Sequence, residues 1–262
     1  WFYTKYLTSG ELVHYFLVMI FSRVEEKVIF ISIFNSILAY TAMVLFRKWG
    51  VSFTVSAITV LTNYYFYILY FPAERLKFGF LFLMLSLIFI HSRKKFIVFS
   101  ILSITSHFQM IIQYTSILFE FSLSKLKLIF VEKKLSISLI MLILTFVFML
   151  IQFQNIIFFK VNQYILASNG ISEIYRGLIF FAGALVYSKN KKETIYLFVP
   201  LIIAAFLVGG GRVNMIMYFV FLYFVLPVNH GFNIIVLITT LYFGYKNFFF
   251  LQKVFLYGNG FY

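Results

Sequence analysis

Apolar runs bounded by charged residues account for most of this chain. They cover residues 12–22, 28–46, 51–71, 76–90, 96–130, 135–158, 174–187, 194–209, 213–228 and 232–252. A run of about 20 apolar residues predicts a helix that crosses a bilayer, and the shorter runs predict shorter membrane helices. We therefore predict an all-α fold, a polytopic transmembrane helical bundle with about nine to eleven membrane segments. The pattern contains no internal repeat and no second domain, so we expect residues 1–262 to form a single integral membrane domain.

The composition supports the membrane assignment and narrows the chemistry. The chain is 63% hydrophobic and only 11% charged, with a mean hydropathy of +0.97. Soluble domains, by contrast, are about 25% charged. The sequence contains no Cys and no Asp, which excludes thiolate–metal sites and disfavours Asp-rich metal motifs, so we predict no metal and no cofactor. Because the chain starts at Trp1 and not at Met, we expect further residues to precede it.

The net charge of +14 comes from short clusters of Lys and Arg between the apolar runs. Such clusters are typical of cytoplasmic loops, so we expect a lipid bilayer, and no nucleic acid, as a partner.

Two membrane topologies remain open. If residues 96–119 cross once, the Lys residues of 125–134 and 189–192 fall outside. If the chain enters and returns between 96 and 133, every Lys-rich cluster falls inside. We favour the second topology, which predicts an outer turn within 106–116.

Three arginines lie at the outer ends of predicted helices under this topology: Arg75, Arg176 and Arg212. An Arg at a helix end can simply extend to the lipid headgroups. A guanidinium also binds phosphate through two parallel hydrogen bonds, and a helix N-terminus favours anions. The glycines 209–211 before Arg212 either make a tight turn or let a ligand approach the backbone closely. These arginines are candidates for binding a phosphorylated ligand.

His107 is the His that lies inside a long apolar run. It is either a hydrogen-bonded structural residue or a functional one, because an unused polar group inside a membrane costs free energy. An imidazole can accept a proton near neutral pH, which suits a general base. No second His lies three or four residues away, and the sequence contains no Gly-x-Ser-x-Gly motif. A metal site and a serine hydrolase are therefore not indicated.

The block that contains Arg75 and His107 is similar to a known family. Phe71-Pro72-Ala73-Glu74-Arg75 opens an apolar helix, Ser92-Arg93-Lys94-Lys95 makes a basic turn, and Thr105-Ser106-His107-Phe108-Gln109 follows. The block resembles the EpsG/Wzy-like polymerases of bacterial exopolysaccharide and O-antigen synthesis. In that family an outer loop leads into a helix that opens with Arg-Gln, and a basic inner turn precedes a helix with a His.

Two further stretches resemble the same family. Gly211-Arg212-Val213 is similar to its late helix start with an Arg, and Glu11 is similar to its outer Glu-Pro-Gly motif. The chain departs from the pattern in three places. Leu76 stands where the family has Gln, His107 lacks the Ser that follows in the family, and Glu11 lacks the Pro.

The resemblance implies a multi-pass, GT-C-like glycosyltransferase in the bacterial cytoplasmic (inner) membrane. Such an enzyme joins oligosaccharide repeat units at the outer face, with undecaprenyl-diphosphate-linked oligosaccharides as both donor and acceptor. Pairing with a polysaccharide chain-length regulator is implied by the resemblance alone. The leaving group is a lipid diphosphate, and arginines aimed at it would stabilise the developing charge without a metal.

The hypothesis gives each candidate residue a role. Arg75 and Arg212 bind the diphosphate, Arg176 assists, and His107 is the base or orients the acceptor. The residues expected to bind the substrate in addition to the three arginines are Glu11, Glu74 and Gln109. Two other classes stay open: a flippase or transporter for the same lipid-linked oligosaccharides, and a membrane acyltransferase that uses His107 as its base.

Overall fold

The computed structural model describes residues 12–21, 27–107, 109–124 and 170–257, together with Leu144, Val147, Ile151 and Gln154. Within these ranges the fold is all-α and contains no strand. Glu11 and most of the predicted segment 135–158 lie outside the described residues. The helices are α1 Leu12–Phe21, α2 Lys27–Lys48, α3 Phe53–Thr62, α4 Tyr64–Tyr70, α5 Glu74–Ile88, α6 Arg93–Ser106, α7 Met110–Ser124, α8 Gly170–Tyr187, α9 Lys191–Val208, α10 Gly210–Val225 and α11 Ile234–Tyr257, with a 3-10 turn at Val228–Gly231.

The chain divides into two compact units, Trp1–Met110 with Leu226–Tyr262, and Ile111–Val225. The expectation of one integral membrane domain stays a prediction. In the first unit α2 and α5 run in the same direction, because the Phe34 ring packs on Phe78 and, further along both helices, Lys48 donates to the Ile88 carbonyl. α6 returns antiparallel to α5.

The 3-10 turn joins the start of α11 to the loop between α2 and α3. A ring nitrogen of His230 lies 2.8 Å from the Gly50 carbonyl oxygen. Gly231 has a φ of +92°, and a Cβ there would lie 2.7 Å from Val55, so this close turn requires glycine. From the turn α11 runs along α3 and α4, where the Phe243 ring packs on Tyr65 with centroids 4.9 Å apart.

In the second unit, α7, α8, α9 and α10 pack together through a hydrogen bond, aromatic rings and a close approach at a glycine. Ser116 on α7 donates to the Leu197 carbonyl of α9, and the Phe181 ring of α8 lies 5.3 Å from the Phe198 ring of α9. A Cβ at Gly177 of α8 would collide with the Met217 sulfur of α10, so the absence of a side chain lets these two helices approach closely. α10 is buried along most of its length.

The prediction of one continuous segment over residues 51–71 is wrong, because the structure divides it into α3 and α4 at Asn63. Asn63 has an extended ψ of 128°, and its side-chain oxygen accepts a hydrogen bond from the Tyr65 backbone N–H at 2.9 Å. Asn is among the strongest N-cap residues, so it ends one helix and starts the next. The freed Val60 carbonyl at the end of α3 accepts from the Tyr70 phenol at 3.2 Å.

The predicted interruption of the run 96–130 is confirmed in position. α6 ends at Ser106 and α7 begins at Met110, inside the expected range 106–116.

Among the described residues, two helical stretches are long and apolar enough to cross a membrane, Ile29–Lys48 and Val228–Tyr257. Four shorter apolar helices accompany them: Phe53–Thr62, Met110–Leu123, Ile174–Tyr187 and Gly210–Val225.

Candidate functional site

Arg75 and His107 lie at the same end of the α5–α6 hairpin. The register of the hairpin is set by Ser103, whose hydroxyl donates to the Gly79 carbonyl at 2.7 Å. Arg75 is one helical turn before Gly79, and His107 is one turn after Ser103. Because the helices are antiparallel, both steps lead toward the same end. The structure thus brings together two predicted site residues that are far apart in sequence.

Gly79 allows His107 to lie directly against α5. A Cβ built on Gly79 would be 3.3 Å from the His107 Cβ and 2.9 Å from the Met110 Cγ. Arg75 and Gly79 share one face of α5, where Cβ atoms four residues apart are separated by about 5–6 Å. The Arg75 side chain is half-buried and starts on the face of α5 that His107 packs against at Gly79.

His107 is held in place by its backbone and by its ring. The residue is 6% exposed, its backbone N–H donates to the Ser103 carbonyl at 3.2 Å, and its carbonyl accepts from the Met110 N–H at 3.0 Å. Its Nε2 atom lies 3.2 Å from Oε1 of Gln109, within hydrogen-bond distance. Gln109, a predicted substrate-binding residue, therefore also orients the ring. We call Arg75, Gly79, His107 and Gln109 the Arg75–His107 end.

Arg176 and Arg212 lie in the N-terminal halves of α8 and α10, in the second unit. Gly177 of α8 faces Met217 of α10, and one turn further Phe180 contacts Phe221, with ring centroids 5.7 Å apart. The two helices therefore run in the same direction, and their N-terminal halves are at one end of the unit. Both arginines are exposed. We call these two residues the Arg176–Arg212 end.

The helix starts differ slightly from those predicted. Arg212 lies in the first turn of α10, as expected, whereas α8 begins at Gly170, so Arg176 lies in its second turn. Glu74 is the first residue of α5, but its side chain, like Glu11, lies outside the described part of the chain. The roles of both glutamates stay predictions.

Lys77 is a residue that the sequence analysis missed. Its side chain is 1% exposed, and its ammonium donates to the Tyr70 carbonyl at 3.1 Å. A Lys at the second position of the apolar run 76–90 was a visible signal, because buried ammonium groups are rare and costly.

A second missed group faces the break at Asn63. Phe243 and Phe250 of α11 contact Tyr65 and Tyr64, so Asn247, which lies between them on the same helix face, points toward the start of α4. Asn247 is 5% exposed, and its side-chain oxygen accepts no hydrogen bond from the described residues. The Lys246 ammonium lies 4.1 Å from the centre of the Tyr64 ring, at the distance of a cation–π contact.

No group of three or more His, Asp or Glu side chains that could hold a metal is found in the described ranges. No family model matches the chain, and no curated protein or solved structure shows significant similarity to it.

Proposed function

We propose that the protein is a polytopic polymerase of the bacterial inner membrane that joins undecaprenyl-diphosphate-linked oligosaccharide units at the outer face. The observation that supports this most is that the half-buried Arg75 and the oriented imidazole of His107 lie at the same end of the α5–α6 hairpin. One group suits a phosphate and the other suits a hydroxyl, and glycosyl transfer from a lipid diphosphate needs both.

The chemistry assigns a separate task to each group. The acceptor hydroxyl attacks the anomeric carbon of the donor sugar, a new glycosidic bond forms, and the bond from that carbon to the diphosphate oxygen breaks. His107 takes the hydroxyl proton, and Gln109 keeps its ring in orientation. Arg75 stabilises the charge that develops on the leaving diphosphate. In the second unit, Arg212 and Arg176 are the groups that bind a lipid diphosphate.

The distribution of basic residues within each unit supports the proposed orientation. In the first unit, Lys48 bonds to the end of α5, and Arg93 opens α6, so the basic cluster lies at the end opposite to Arg75 and His107. In the second unit, α9 starts with Lys191 and Lys192, at the end opposite to the start of α10. Lys-rich ends inside and arginines outside agree with the positive-inside rule.

Replacement of Arg75 or Arg212 by Ala tests the proposal. Each variant should abolish the polymer ladder on a gel of surface polysaccharide while protein level in the membrane stays normal, because the diphosphate charge is no longer stabilised. Lys94→Met, at an exposed position of the opposite end, serves as the control and should leave the ladder intact. Normal ladders in both Arg variants would exclude this assignment.

The break at Asn63 favours a second candidate, a flippase for the same lipid-linked units. Discontinuous membrane helices with polar groups facing the break are typical of transporter binding sites. Here Asn63 and Asn247 are buried at the break, and Lys246 lies beside them.

The two candidates differ in what a deletion leaves on the cell surface. A cell without the polymerase still displays single repeat units outside, whereas a cell without the flippase displays none. Labelling of surface glycans in a deletion strain decides between them. Surface units that persist would exclude the flippase, and their loss together with the polymer would exclude the polymerase.

A further inference from the structure

Lys77 is a buried cationic side chain, and a buried charge requires partners that stabilise it. The side chain is 1% exposed, and its burial removes the ammonium from water, which is unfavourable unless partners compensate. Its hydrogen bond goes to the carbonyl of Tyr70, the last residue of α4. That carbonyl lies at the negative end of the helix, where a cation is stabilised.

Tyr70 extends the contact to a third helix. Its carbonyl accepts from Lys77 of α5, and its phenol donates to the Val60 carbonyl at the end of α3. A buried chain of hydrogen bonds therefore joins α3, α4 and α5. α4 has only seven residues, too few to be stable alone, so such contacts determine where it lies.

The short connection from α4 to α5 is fixed by the same contacts. The Ala73 N–H donates to the Ile68 carbonyl at 3.0 Å, and the Lys77 N–H donates to the Ala73 carbonyl at 2.9 Å. Arg75 follows immediately. Residues two apart on a helix point to nearly opposite sides, so Lys77 does not share the face that presents Arg75 and Gly79.

We infer that Lys77 is a positioning residue that fixes the start of α5, and with it Arg75, through the buried chain Lys77–Tyr70–Val60. The inference rests on the proposed function, since it gives Arg75 a fixed place beside the lipid diphosphate. A guanidinium displaced by about 1 Å loses on the order of 100-fold in rate, which is what such an anchor prevents.

The first arm of the experiment measures polymer formation in membranes that contain the strain's own lipid-linked repeat units. Lys77→Met keeps the length of the side chain and removes its charge, and it should lower the rate about 100-fold. Lys77→Arg keeps a donor for the Tyr70 carbonyl and should recover most of the activity. Tyr70→Phe keeps the ring, removes only the hydroxyl that donates to the Val60 carbonyl, and should give a smaller loss. Lys94→Met is the matched surface control.

A double variant shows whether Lys77 acts through Arg75. In an Arg75→Lys background, which is already impaired, Lys77→Met should lower the rate less than about threefold, because residues that act as one unit are not additive. If Lys77→Met lowers the rate by the same factor in the Arg75→Lys background as in the wild-type protein, the inference is overturned. Such a result would mean a general loss of folded protein. If Lys77→Met does not accumulate, Tyr70→Phe in the same background decides by the same criterion.

The second arm needs no substrate. Hydrogen exchange of the amides of Ala73 and Lys77 in the purified protein should become about tenfold faster in Lys77→Met and stay unchanged in Lys94→Met. Unchanged exchange would overturn the positioning role while leaving the proposed function intact. Normal polymer ladders in both Arg75→Ala and Arg212→Ala would overturn the proposed function while the exchange result still stands.

Discussion

The two ends that contain the candidate arginines differ in how much of their geometry is fixed. At the Arg75–His107 end, His107 is buried, its ring is oriented by Gln109, and its Cβ lies against Gly79. At the Arg176–Arg212 end both side chains are exposed. One end is preorganised, and the other can adapt.

This difference suggests a division of labour under the proposed function. Groups that stabilise a transition state work best when they are held in place before the reaction. Exposed arginines keep their rotamer freedom and lose it on binding, so they suit the capture of a flexible anionic lipid more than the precise placement of charge. Under the proposed function, the Arg75–His107 end suits the chemical step, and the Arg176–Arg212 end suits the capture of a lipid diphosphate.

Lys substitution at each end should give the largest contrast. Arg75→Lys should lower the rate of polymer formation about 100-fold, because a point charge cannot replace the fork of a guanidinium in a fixed place. Arg212→Lys should lower it only about fivefold, because an exposed Lys still reaches the phosphate as a point charge. Rates measured in membranes of equal protein content test this. Equal losses at the two positions would remove the distinction between the ends.

A pair of glycines tests the close packing under His107. Gly79→Ala should lower the rate about tenfold and destabilise the fold by about 1–3 kcal/mol, because the new methyl meets Met110 and His107. Gly211→Ala, in the first turn of α10, meets nothing within 4 Å and should be neutral or stabilise by up to about 1 kcal/mol. Stability is measured by unfolding the purified variants in mixed detergent, and activity is measured as the rate of polymer formation. A Gly79→Ala protein that behaves like Gly211→Ala would show that His107 has room to move.

The helix positions could be predicted largely from the sequence, because charged residues cannot lie within a long apolar run without cost. The break at Asn63 could not, although the residue was visible in the run 51–71. A hydropathy pattern averages over a whole turn or more, whereas the break depends on one local hydrogen bond from Tyr65 to the Asn63 side chain. An Asn before an aromatic stretch was the one available signal.

The site was predictable as a set of residue types and not as an arrangement. Arg75 and His107 were identified from charge, position and resemblance, but their proximity depends on the register of α5 against α6. That register follows from the Ser103–Gly79 contact and from the missing side chain at Gly79. Such a contact depends on the rotation of both helices, which tertiary packing decides. Lys77 was missed because its position at the start of a run resembles a helix end.

The smallest expected effect belongs to Ser103, and it tests the register itself. Ser103→Ala removes the hydroxyl that donates to the Gly79 carbonyl of the neighbouring helix, at 2.7 Å in a fully buried position. The carbonyl keeps its bond within α5, so no buried donor is left without a partner, and the loss should be only about 0.6–1 kcal/mol. Polymer formation should fall less than about threefold, because Gly79 and Met110 still hold His107.

Ser100 provides the matched control on the same helix. Its hydroxyl donates to the Phe96 carbonyl within α6, so Ser100→Ala removes a hydroxyl without touching the hairpin. We expect no measurable change in stability or rate for this variant. Unfolding in mixed detergent should therefore separate the two serine variants, with Ser103→Ala the less stable. If both unfold alike, the bond between α5 and α6 does not set the register. The fixed geometry of the Arg75–His107 end would then depend on the close packing of Gly79 against His107 and Met110 and on the contact between His107 and Gln109.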